Sequence, residues 1–88
     1  MKAIITVVGK DRVGIISEIS SILANKKVNI LDVEQTIFDN NFSMMMHIEL
    51  PKKISFKTLK SKLKSKQEKL KLEINLYNEM IFKKMHNL

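Results

Sequence analysis

The chain has 88 residues, two histidines, no cysteine and a formal net charge of +7. That length holds one domain with one modest core, expected to span residues 1–88. Without a thiol there is no disulfide, cysteine nucleophile or cysteine-based metal site, which suits a reducing, cytoplasmic setting. No apolar run approaches the roughly 18 residues that cross a bilayer, and the residues after Met1 do not read as a signal peptide, so no membrane partner is expected.

In chain order, residues 3–8 form an apolar, β-rich run and predict a first strand. It places Ala3, Ile5 and Val7 on one face and Ile4 and Val8 on the other. Both glycines of the chain follow, with Asp11 and Arg12 between them. Val13, Ile15, Ile16, Ile19, Ile22 and Leu23 then recur at helical spacing, predicting an amphipathic helix that ends near Lys26 and Lys27. Residues 28–38 predict a second strand, with Leu31, Val33, Gln35 and Ile37 on its more apolar side. Asp39-Asn40-Asn41 is a turn signal, since Asp and Asn tolerate left-handed conformations. In the third strand Phe42, Met44, Met46, Ile48 and Leu50 alternate with Ser43, Met45, His47 and Glu49, so the two strands make a hairpin.

Pro51 ends that strand. Ser55 is placed to cap a second helix whose apolar stripe is Phe56, Leu59, Leu63 and Leu70. Leu72, Ile74 and Leu76 alternate with polar residues and predict a fourth strand. The tail, residues 78–88, carries Ile81, Phe82, Met85 and Leu88 and suits a short terminal helix. The order is βαββαβ plus the tail. Two right-handed crossovers joined by a hairpin give the ferredoxin-like arrangement, an α+β sandwich. Strands one and three are central in its four-stranded antiparallel sheet, and the two main helices share one face. The other face would carry Ile4, Val8 and Met45. A fully solvated face has no need of these residues, so the tail or a second subunit is expected to cover it, and a homodimer is expected.

The charge is local. Residues 52–71 hold nine lysines against one acid, Glu68, while the rest of the chain is nearly neutral. A basic patch of this kind can bind nucleic acid through counterion release. The first and third strands carry no aromatic stacking platform, and charge runs on helices are usually solvated faces, so a nucleic-acid partner is the alternative and not the expectation. His47 and His86 do not supply the three or four converging ligands of a metal site. The methionines at 44–46 are read as packing residues. No catalytic constellation or phosphate loop is present, and neither an enzyme nor a cofactor is expected.

The corner at residues 9–15 carries the chemistry. The first N–H groups of a helix lack internal partners and favour an anion such as a carboxylate. Asp11 is placed to cap that helix, Gly9 to permit a sharp exit from the strand, and Gly14 to let a ligand approach the backbone. Taken alone these features fit a well-made turn as readily as a ligand site. The stretch VVGKDRVGIISEISSILANKKVNILDVEQ, residues 7–35, resembles the opening of an ACT domain, with Gly9, Asp11, Arg12, Gly14, Ile15, Asn29 and Ile30 matching in order. The whole chain fits the family's βαββαβ layout, most closely that of small stand-alone members akin to the ACT modules of glycine-cleavage repressor-like regulators. Val13 departs from the family's usual proline, which would pre-set the first helical turn; Asn40-Asn41 departs from its small hairpin residues.

The resemblance implies a regulatory module, acting on an unidentified protein, that binds an amino acid or similar small carboxylate at a dimer interface. Asp11, Val13, Gly14 and Ile15 would line the corner, with backbone N–H groups near Gly14 and Ile15 holding the carboxylate. Asn29, Ile30 and Leu31 would approach from the second strand of the partner. Many stand-alone members have no known ligand, which leaves a plain dimerisation module as a third reading.

Overall fold

The computed structural model describes residues 1–86. Strand β1 (Lys2–Lys10) leads to helix α1 (Ile15–Asn25), strands β2 (Asn29–Phe38) and β3 (Asn41–Glu49), helix α2 (Phe56–Leu70), strand β4 (Leu72–Asn78) and helix α3 (Glu79–His86). The sheet order is β2-β3-β1-β4, and every neighbouring pair is antiparallel. This is the expected ferredoxin-like arrangement, with β1 and β3 in the centre.

The core lies between the sheet and helices α1 and α2. Ala3, Ile5 and Val7 pair across β3 with Ile48, Met46 and Met44. On the other side Ile5 and Val7 pair with Leu76 and Ile74. Against this layer pack Ile15, Ile19, Ile22 and Leu23 of α1 and Leu59, Leu63 and Leu70 of α2, all buried. These are the positions that alternation and helical spacing mark as apolar, so the period of each segment decides its inward face. The Ser55 hydroxyl accepts a bond from the Thr58 N–H at 3.0 Å and caps α2. Asp39 and Asn40 both have positive φ, 52° and 67°, and close the β2–β3 hairpin in two residues.

Two details depart from the sequence reading. The β2–β3 register slips between Ile30 and Asp32, which makes Leu31 the extra residue of a bulge. Ile30, Val33, Gln35 and Ile37 therefore share the helix-side face, and Leu31 leaves the alternation. Gly9 is also no exit point, because β1 continues to Lys10 and Gly9 pairs with Phe42 and Leu72. A Cβ on Gly9 would lie 2.6 Å from Leu72 Cδ2 and 3.3 Å from the Lys71 carbonyl oxygen. The missing side chain is what lets the α2–β4 junction press against β1.

Helix α3 covers one end of the face opposite α1 and α2. The Phe82 ring packs on Tyr77 at 5.6 Å between centroids, and Glu79 hydrogen-bonds His47. Ile4, which points to that face, is only 8% exposed. Met45 and Val8 stay partly exposed beyond the helix. The tail thus supplies part of the expected cover. Leu88 and the side chain of His86, both invoked from sequence, lie outside the described residues.

Candidate ligand-binding site

The corner between β1 and α1 is built from residues 11–14. The Asp11 N–H donates to the Asn40 carbonyl at 2.8 Å, which ties the corner to the β2–β3 turn. The chain then turns outward, leaving Val13 97% exposed. Gly14 is the N-cap of α1 with φ 95°, a left-handed conformation that favours glycine. Space around it is open, since a Cβ there would meet nothing within 4 Å. Ile15 turns inward and is buried.

Asp11 is not the cap of α1. It stands three residues before the cap position, and no side chain caps the helix. The left-handed Gly14 replaces a side-chain cap as the device that starts α1. The first-turn N–H groups consequently keep their positive potential open at an exposed corner. Arg12 is drawn to Glu18 one turn into the helix, with Nη2 to Oε2 at 2.8 Å. Asp11 forms no ion pair among the described residues.

Asn29, Ile30 and Leu31 are exposed at the start of β2. They do not meet the corner within one chain. Lys10 pairs with Asn41 at the first residue of β3, whereas Asn29 pairs with Glu49 at its last. Eight strand steps at about 3.3 Å separate those ends by roughly 26 Å. The corner therefore brings Asp11, Val13, Gly14 and Ile15 together and leaves the other three candidates at the far end of the sheet.

The edge between them is unpartnered. Every residue of β2 is exposed, and β2 has a sheet neighbour on one side only. Ile30, Val33 and Ile37 form an apolar row on its helix side, and Ile37 is 55% exposed. Antiparallel pairing of two copies of β2 about a two-fold axis sets the first residues of one strand beside the last of the other. The last residues, 36–38, adjoin the hairpin that carries Asn40 and hence the corner. Such pairing would set a second copy's Asn29, Ile30 and Leu31 beside residues 36–38 of the first.

His47 lies on the sheet face away from α1 and α2, and its side chain meets Glu79. The sequence left that pairing unread because Glu79 sits in a tail whose docking no periodicity specifies. No helix of the described residues is long and apolar enough to cross a membrane.

A family model described as the ACT domain matches residues 2–77. A UPF0237 protein of Clostridium acetobutylicum is 48% identical over the full length of both chains. The solved structure of an ACT domain protein from Streptococcus pneumoniae superposes with a TM-score of 0.82 at 39% identity and covers 93% of each chain. A putative glycine cleavage system transcriptional repressor is similar in fold, with a TM-score of 0.68 at 22% identity over 85% of this chain and 43% of that one.

Proposed function

The chain belongs to the ACT domain family of small-ligand-binding regulatory modules, and from that premise we propose that it senses an amino acid across a homodimer interface formed by β2. The observation that carries this reading is the split site. Its two halves lie about 26 Å apart in one chain, and pairing of two exposed β2 edges would bring them towards each other. The Gly14 and Ile15 end of α1 offers N–H groups to the carboxylate. The unpaired Asp11 carboxylate suits the α-ammonium group. Asn29, Ile30 and Leu31 of the second copy close over the side chain and set its size. The protein acts by binding, and no residue is assigned a catalytic role.

Thermal shift against each of the twenty amino acids tests this. One or a few should raise Tm in a concentration-dependent way, because a ligand that binds only the folded dimer stabilises it by mass action. Silence from all twenty in a protein that is dimeric by light scattering would favour a plain dimerisation module.

A further inference from the structure

We infer that each chain carries a second ligand site, a basic two-lobed groove along the end of α2, walled opposite by the β1–α1 corner in one lobe and by α1 in the other, that takes a nucleotide-like phosphorylated molecule. The first lobe, about 270 Å³, is lined by Lys10 and Arg12 on one side and Lys69 and Lys71 on the other, over Leu70. The second, also about 270 Å³, shares Lys69 and Leu70 and adds Ser17, Glu18, Ser21, Ile22 and Lys66, so it too holds one carboxylate. Either lobe alone falls short of a small-molecule site, roughly 300–1,000 Å³, and the two abut at Lys69 and Leu70, which line both.

The lobes differ in chemistry. The first converges four cations and holds one carboxylate, Asp11. Multiply charged phosphate matches such an array through charge-assisted hydrogen bonds. The second has an apolar floor of Leu70 and Ile22 and two serine hydroxyls on α1, which fits a sugar and base. The helix dipole accounts for cations at Lys69 and Lys71, near the carbonyl end of α2. It does not account for Lys10 and Arg12, which β1 brings to the same cleft. They meet because Gly9 lets the α2–β4 junction sit on β1.

Two of the other lysines on α2 have partners, whereas Lys57 and Lys62 form no ion pair or side-chain hydrogen bond among the described residues. Lys64 donates to Asn75 at 2.8 Å and Lys60 stands 6.0 Å over the Phe56 ring. Lys10, Lys66, Lys69 and Lys71 have no side-chain partner among the described residues. An anion in the cleft would give these ammonium groups a partner. The wall is fixed, since Gln67 Oε1 accepts the Ile74 N–H at 2.8 Å and ties the end of α2 to β4. Between the lobes Arg12 is held by Glu18. An ion pair this exposed is weak, so phosphate can take Arg12 from it.

The test is an amide chemical-shift titration of the full chain with ADP, inorganic phosphate, adenosine and a single-stranded dT 20-mer. ADP should shift amides at 10–12, 17–22 and 66–71 and bind more tightly than either of its parts. Lys10→Glu with Lys69→Glu should weaken ADP at least about tenfold, while Lys57→Glu with Lys60→Glu leaves it unchanged. Glu18→Gln should tighten binding by freeing Arg12. The spectra themselves report that each variant is folded. A variant made monomeric at β2 should still bind ADP, which separates this site from the interface site. Absent or diffuse shifts, equal losses in both lysine pairs, or tighter binding of the 20-mer with shifts along all of α2 would overturn the proposal.

Discussion

Asp11 and the two glycines show how far one residue's neighbours decide its role. Asp11 precedes the cap position by three residues and bonds the hairpin through its main chain, so Asp11→Ala should change stability by no more than about 0.5 kcal/mol. Urea unfolding reads this, and a loss of a full cap's worth, about 1 kcal/mol, would restore Asp11 as the cap. Gly9→Ala should destabilise by about 1–3 kcal/mol, the range for overpacking a closed site. The clash is with Leu72, which is itself buried, and with a main-chain oxygen that cannot turn aside. At Gly14 there is space but the backbone is left-handed, so Gly14→Ala should cost about 1–2 kcal/mol through conformation alone. From sequence both glycines read as corner residues. The helix start at the second was legible. The close approach at the first was not, because it depends on β4, which lies far along the chain.

At the scale of elements, periodicity placed the inward faces well. Ile15, Ile19, Ile22 and Leu23 of α1, Leu59, Leu63 and Leu70 of α2 and the alternation of β1, β3 and β4 coincide with the buried core, since one buried face per element leaves one regular signal; Val13, which precedes the helix, and Ile16 fall outside it and are exposed. The bulge at Leu31 escaped this logic. Leu31, Val33, Gln35 and Ile37 alternate as an ordinary strand would, and only pairing with β3 reveals that Ile30 takes the place of Leu31. The docking of α3 was equally hidden, because a short helix with apolar residues on several sides names no inward face. Its anchor makes a pH prediction. The hydrogen bond from His47, first, and then the charge of Lys83 hold the Glu79 carboxyl below its ordinary value. A depressed acid adds stability that is present above its unfolded-state pKa, about 4.3, and is lost as pH falls through the lower folded value. Hydrogen exchange in α3 should therefore accelerate on acidification below about pH 4 before the core strands respond. Glu79→Gln should remove that acid step and leave α3 loosened at all pH values. An acid step that persists unchanged in Glu79→Gln would place the titrating group elsewhere.

The whole molecule has a closed core and two edge strands, β2 and β4, of which β2 is exposed along its whole length. Its helix-side core is complete without a partner, as the full burial of Ile5, Ile19, Met46, Leu59 and Ile74 requires. What remains uncovered is β2, with unpaired main-chain groups along one side and the row Ile30, Val33 and Ile37 beside them. An exposed strand edge with an apolar row is a template for another strand, and Ile30, Val33 and Ile37 lie outside the buried core cluster at 37–55% exposed. Val33→Asp with Ile37→Asp should therefore give a folded monomer. Light scattering should show the mass of one chain, about 10.2 kDa, while circular dichroism stays that of the parent. Any amino-acid response should vanish with the dimer, because Asn29, Ile30 and Leu31 can reach the corner only from a second copy. If the double variant stayed dimeric and still responded, the pairing edge would lie elsewhere. If it were monomeric and still responded, the split site would be wrong and the corner alone would suffice. Loss of the fold would instead show that β2 stabilises the chain more than its exposure implies; Lys substitutions at residues 30 and 33, which blunt an edge by charge, would then repeat the test on the other half of the row.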